Sequence, residues 1–438
     1  MGARETALNA LIACRKEGAW SNGVLKEYIR RDRLDNRDAA LASRLCYGVL
    51  QNRQKLDFYL KQLLTGKQNR LHPVVRDILH LGLYQMLEMT KIPVSAAVNE
   101  SVELTKKYCP NPVAAKLVNG VLRNADRRKG TLEEPVKLSD RYSHPESLIQ
   151  LLRSYVGEEL LEPMLRANNE APDITIQVNT LKTDAETLTR ALETQGVIAQ
   201  PHSWMENCLV LRSTGALENL EVFRQGHFYV QDPAAKLSVL CAQLPQREDF
   251  YLLDCCAAPG GKSFASAIAM EGSGSITSCD VHPHKAELIA SGAKRLGIEI
   301  LSARCQDATE FVADWEGKMD TVIADVPCSG LGIIRKKPDI RYKNLQEMSQ
   351  LPALQLKILK NQARYVRPGG VLLYSTCTLV HGENEGVVEA FLKENPEYSL
   401  EKLPLPAIFP ENTTGMLALV PGEYDTDGFF IAKLRRNK

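Results

Sequence analysis

Along residues 1–130 the apolar positions recur three or four residues apart. Leu41, Leu45 and Val49 share a face, as do Leu56, Leu60 and Leu63. Val98, Val102 and Thr105 repeat the pattern, followed by Leu117, Val118, Val121 and Leu122. This spacing predicts amphipathic helices, and the breaks at TGKQNRLHP (65–73), KIPVS and YCPNP gather them into an all-α bundle. The charged stretch RRKGTLEEP (127–135) predicts a linker.

Beyond the linker the period changes. Residues 140–170 read as helical, and ITIQVNT, CLVLRS and FYVQD then read as strands. DAETLTRALETQG (184–196) predicts a helix with Asp184 at its start and Gly196 at its end. These elements make a small α+β module over 140–239. From 240 to 438 strand and helix patterns alternate. Candidate strands are FYLLDCC, GSITSCD, IEILSAR, MDTVIADV and GGVLLYST, with helices such as KAELIASGAKRLG between them. Such alternation predicts a parallel, Rossmann-like sheet covered on both faces. The last segment, GFFIAKLRR, predicts an antiparallel edge strand.

Composition changes this picture in two places. The net charge of +1 hides an uneven distribution: residues 1–130 carry 23 Lys and Arg against 12 Asp and Glu. The helical third is therefore strongly basic and the remainder acidic, which suits a phosphate-bearing partner such as nucleic acid. The 11 cysteines show no C-x-x-C spacing, and no export signal precedes them, so reduced thiols and a cytoplasmic location are expected. No run of 18 apolar residues is present, so no membrane is expected.

Candidate chemistry gathers where strands of a doubly wound sheet end, the usual ligand position. The first strand runs into CCAAPGGK, in which Cys256, Ala257, Ala258, Pro259, Gly260, Gly261 and Lys262 turn straight into a helix. A phosphate-binding P-loop would need glycine where Cys256 stands, and G-x-G-x-x-G is absent. Asp280, Asp307 and Asp325 come after the next three strands. Asp280 is suited to a ribose diol and Asp307 to an adenine amino group. Any one of them could simply cap the next helix. In register along one sheet they describe a nucleoside pocket without a triphosphate cradle, which fits S-adenosyl-L-methionine.

Two thiols end the next strand pair: Cys328 in DVPCSGLG and Cys377 in YSTCTL. Most cysteines are small core residues, but thiols beside a methyl donor suggest covalent catalysis. A thiolate adding to carbon 6 of cytosine makes carbon 5 nucleophilic. Asp325 could bond the ring N3 and exocyclic amine. Donation to N3 would require its protonated form, with a raised pKa.

DCCAAPGGK, SCD, DAT, ADVPCSGLG and YSTCTL, in that order, resemble the RNA cytosine-C5 methyltransferase family. The segment ASRLCYGVLQNRQKLD resembles NusB-like RNA-binding domains, and IQVNTLKT with HFYVQDPAAKL resembles an RRM-like module. The resemblance spans nearly the whole chain. It implies an enzyme acting on 16S ribosomal RNA, naked or in an early small-subunit particle, and nothing in the sequence demands more than a monomer. It further implies Cys256 to Lys262 with Asp280, Asp307 and Asp325 around the donor, Cys377 as nucleophile, and Cys328 as the thiol assisting release. DNA cytosine methyltransferases attack with the Pro-Cys thiol, so chemistry alone leaves the order of the thiols open. The loop RKKPDIRYK (335–343) departs mildly from the family pattern and is expected to touch RNA phosphate. A transfer RNA methyltransferase and a non-catalytic RNA-binding factor are the competing readings.

Overall fold

The computed structural model describes residues 1–17, 20–64 and 71–437. It divides into two compact units, one comprising Met1–Glu170 with Ile334–Lys343, the other Ala171–Ile333 with Asn344–Lys438. The helical break expected at 65–73 lies, up to residue 70, outside the described residues. Among the described residues no helix is long and apolar enough to cross a membrane.

The first unit is helical. Helices span Ala3–Glu17, Ser21–Arg31, Asn36–Gln51, Arg53–Leu63, Pro73–Glu88, Val94–Tyr108 and Pro112–Arg127. Asp35 caps the third by accepting the Asp38 N–H, and Asn111 caps the seventh by accepting that of Val113. The predicted apolar faces form the core: Leu45, Leu60, Val98, Val118 and Leu122 are fully buried. Leu41 and Val102 pack at its margin, and Leu117 faces solvent. Two further helices, Leu138–Tyr142 and Glu146–Ala167, belong to the same unit. The sequence grouped residues 140–170 with the strands after them, whereas this division into two units sets them beside the bundle.

The reason lies partly in segment 334–343. Arg341 is 2% exposed. Its guanidinium donates to the carbonyls of Gln51 (3.0 Å), Tyr142 (3.2 Å), Ser143 (3.3 Å) and Asn168 (3.2 Å), and to Asn169 Oδ1 (2.8 Å). It thereby ties the end of Asn36–Gln51 to the end of Leu138–Tyr142 and to the residues just past Glu146–Ala167. Tyr342 donates its hydroxyl to the Leu50 carbonyl, and Asp339 accepts from Ser21 Oγ at 2.6 Å. Burial lowers the Arg341 pKa to about 10, so it remains a cation, and burial followed by the Arg341 charge keeps His144 well below its ordinary range. The expectation that this loop meets RNA phosphate is therefore corrected for Arg341, whose buried terminal guanidinium nitrogens donate to protein oxygens. Arg341→Ala should destabilise this unit by about 3 kcal/mol, because several buried acceptors lose their donor. Arg341→Lys should recover little, since an ammonium cannot reproduce the planar fork. Urea denaturation checks both; a midpoint unchanged in Arg341→Ala would refute the anchoring role.

The second unit holds two sheets. The smaller contains β1 (Ile174–Val178), β2 (Ile198–Pro201), β3 (Cys208–Arg212) and β4 (Phe228–Val230), in the antiparallel order β2-β3-β1-β4. The helix predicted from 184 forms over Ala185–Thr194, with Asp184 accepting the Thr187 N–H. The larger sheet contains β5 (Tyr251–Asp254), β6 (Ser275–Asp280), β7 (Leu301–Cys305), β8 (Met319–Asp325), β9 (Val366–Thr376), β10 (Tyr398–Leu400), β11 (Met416–Leu419) and β12 (Phe429–Arg436). Its order is β10-β12-β9-β8-β5-β6-β7, with β11 also pairing β12. Strands β5 to β9 are parallel, and their unbroken apolar runs, such as Val322-Ile323-Ala324 and Leu372-Leu373-Tyr374, are buried because helices cover both faces. The final strand is antiparallel to β9 as expected, but it is interior rather than an edge, flanked by β10 and β11.

The chain begins this sheet at β5, adds β6 and β7 on one side, then crosses to add β8 and β9 on the other. The reversal between β5 and β8 opens a crevice at their carboxyl ends, the switch point of a doubly wound sheet.

Candidate active site

The turn after β5 is built for close approach. The Cys279 carbonyl accepts the Ala257 N–H (2.8 Å), and the Ala257 carbonyl accepts that of Gly260 (2.7 Å). Gly260 sits at φ +106°, and a Cβ there would meet the Phe264 ring at 2.4 Å, so only glycine fits. Gly261 opens the helix Gly261–Ala269, whose first N–H groups lack intrahelical partners.

Asp254, the last residue of β5, was read only as part of the strand. It is fully buried, and Ser263 donates to it at 2.7 Å, itself accepting from Ser278 at 2.8 Å. Burial pushes the Asp254 carboxyl up to about 7, against the opposing hydrogen bond from Ser263. Its Oδ1 has no partner among the described residues. A polar residue ending an otherwise apolar strand was the available signal.

Asp280 lies buried at the end of β6, accepting the His282 N–H at 3.1 Å, with Lys285 Nζ at 3.6 Å. Asp307 stands just past β7 and accepts the Thr309 N–H at 2.8 Å. Both do cap the next turn of chain, yet each has oxygens left to accept from a ligand. Two carboxylates, a glycine turn and a helix N-terminus fit a nucleoside bearing a charged amino-acid tail better than a polyphosphate. Cys256 and Ala258 are half-buried on the same turn.

Across the crevice Lys262 and Asp325 form an ion pair at 2.7 Å, and Ser375 Oγ donates to the other Asp325 oxygen at 2.8 Å. Lys262 also lies 4.9 Å from the centre of the Phe429 ring.

Register brings the thiols together. Asp325 of β8 pairs with Ser375 of β9, so the residues just beyond each strand meet. Cys328 Sγ and Cys377 Sγ are 3.1 Å apart, and the Cys377 N–H donates to Cys328 Sγ at 3.3 Å. Both side chains are half-buried, and both cysteines are free. The Cys328 thiol is pushed well up, first by its hydrogen bond with Cys377, then by burial and by the charges of Cys377, Glu383 and Asp325. Residues 49 apart in sequence thus share one cleft with Lys262 and Asp325, while Asp280 and Asp307 stand at the neighbouring strand ends.

Residues 241–435 match the model of the 16S rRNA methyltransferase RsmB/F family. A probable ribosomal RNA small subunit methyltransferase B of Bacillus subtilis (strain 168) is 37% identical, over 99% of this chain and 98% of its own length. The chain belongs to the RsmB/F family. Residues 1–127 match the NusB family and 144–218 the ferredoxin-like domain of RsmF/B-like methyltransferases. A probable small subunit methyltransferase B of Synechocystis sp. (strain ATCC 27184 / PCC 6803 / Kazusa) is 32% identical over the full length of both chains. The solved structure of PH0851 superposes with a TM-score of 0.80 at 25% identity, covering 99% of this chain and 98% of that one. As an RsmB/F member the protein is an RNA methyltransferase that uses S-adenosylmethionine.

Proposed function

We propose that the protein methylates carbon 5 of a cytosine in 16S ribosomal RNA, the cytosine at position 967, through a covalent bond between Cys377 and carbon 6. The observation that carries this reading is the pair of sulfurs 3.1 Å apart beside the Lys262–Asp325 pair. Its relatives are named as small subunit ribosomal RNA methyltransferases, which supports the substrate class.

In this reading Cys377 attacks as the thiolate, forming the sulfur–carbon 6 bond and moving the ring electrons toward carbon 5. S-adenosylmethionine, when bound, supplies the electrophilic methyl group that carbon 5 takes. Cys328 receives the proton then lost from carbon 5, and the electrons of that C–H bond re-form the ring double bond as the Cys377 sulfur leaves. Asp325 bonds the exocyclic amine, and Lys262 is the nearby donor for the ring as it gains charge. The Cys256–Lys262 turn, Asp280 and Asp307 hold the donor. The base leaves its stack to reach the sulfurs.

The test is transfer of a labelled methyl group to naked 16S RNA, to small-subunit particles and to transfer RNA. Bisulfite sequencing then maps the modified base. Label at the proposed cytosine in ribosomal RNA supports the reading. Label confined to transfer RNA, or tight RNA binding without label, overturns it.

A further inference from the structure

The two sulfurs pose a question that their separation does not answer. At 3.1 Å they share one site and cannot both be ionised near neutral pH. Attack requires the single negative charge to sit on one particular sulfur. Something must break the symmetry between them.

The groups facing Cys328 come from every element around it. From β9 comes Tyr374, from just past it Cys377, and from β8 Asp325, which is paired with Lys262. From the turn after the Cys377 loop comes Glu383, which is 1% exposed. Glu383 Oε2 accepts the Ser329 N–H at 2.9 Å, the residue next to Cys328. The same oxygen accepts the Gln355 amide at 2.9 Å, and that amide also donates to the Pro327 carbonyl at 2.9 Å. Ser329 Oγ and Thr378 Oγ1 are 2.7 Å apart, closing the link between the two thiol-bearing loops. Tyr374 donates its hydroxyl to the Glu383 carbonyl at 2.5 Å. Asn384 accepts from Thr376 Oγ1 at 2.6 Å and donates to the Thr378 carbonyl at 3.0 Å. Among the described residues no Lys, Arg or His is paired with Glu383.

We propose that Glu383 is a positioning residue that directs the ionised sulfur to Cys377, by clamping the Pro-Cys loop and facing it with a fixed, buried negative charge. An anion on Cys328 would lie beside the Glu383 carboxylate in a poorly screened interior, so the sulfur there keeps its proton. Its S–H is then free to point at the neighbouring sulfur. Cys377 loses its proton to solvent, becomes the thiolate and accepts that hydrogen bond. Once Cys377 is bonded to carbon its negative charge is gone; Cys328 then gives its proton to solvent and, as the thiolate made more basic by the same carboxylate, takes the proton leaving carbon 5. The inference deepens the methyl-transfer reading above and rests on it for the meaning of the two thiols.

The experiment needs neither RNA nor donor. Full-length protein is treated with iodoacetamide at about pH 7.5, and alkylation rates at Cys377 and Cys328 are read separately by peptide mass spectrometry. In wild-type protein Cys377 should react faster by about tenfold, the factor corresponding to one unit in thiol pKa. Glu383→Gln, which keeps the shape and removes the charge, should raise the Cys328 rate about tenfold and collapse the ratio. Glu383→Asp keeps the charge and should keep the preference. A ratio unmoved in Glu383→Gln overturns the proposal. So does a preference lost equally in Glu383→Asp, which would mark a merely structural part. If Glu383→Gln fails to fold, faster alkylation of Cys328 in wild-type protein still overturns it. Failure of the methyl-transfer reading looks different: Cys377→Ala would retain methylation whatever the alkylation ratio.

Discussion

Cys377→Ala loses methyl transfer by more than about a thousandfold and leaves no RNA attached to protein on a denaturing gel. In the proposed reaction Cys377 forms the intermediate, and Cys328, which keeps its proton beside Glu383, does not take its place. Folding should be untouched, since the side chain is small and half-buried. Turnover surviving in this variant, or a covalent species forming through another residue, would contradict the proposed chemistry.

Cys328→Ala has the opposite signature. The first bond to carbon 6 still forms and the methyl group still arrives, but removal of the carbon 5 proton slows. A stable complex of protein and methylated RNA should accumulate in stoichiometric amount, with multiple turnover depressed by more than about a hundredfold. Single-turnover labelling separates this from a simple loss of binding. If instead the Cys328 variant is inert and the Cys377 variant traps RNA, the two roles are exchanged.

Where the candidate residues stand in the fold could be read from the sequence because the signal is local. CCAAPGGK, Asp280, Asp307, Asp325 and the two thiols each mark the end of a strand, and a parallel sheet aligns such ends by its own geometry. Arg341 was misread for the converse reason. RKKPDIRYK is basic and looks solvated, and nothing in its spacing announces that one guanidinium will serve the carbonyls of Gln51, Tyr142 and Asn168. Glu383 was passed over because a carboxylate in a polar loop carries no periodicity; its partners Ser329 and Gln355 are visible only once β8 and β9 are side by side. Strands β2 and β10 are four and three residues long, too short for alternation to register, and missing β10 made β12 look like an edge. Asp325 shows a further limit. Sequence located it, but not its ion-pair partner Lys262, 63 positions away.

The excursion of residues 334–343 into the helical unit has a consequence for anyone dividing this protein. The chain leaves the larger unit after Ile333 and returns to it at Asn344, so no single cut separates the two folds. A fragment starting near residue 241 would carry Arg341 and Tyr342 away from every carbonyl that holds them. The excursion begins shortly past Cys328 and would hang loose from the loop that carries this cysteine. Truncation therefore puts at risk the part of the molecule it was meant to isolate.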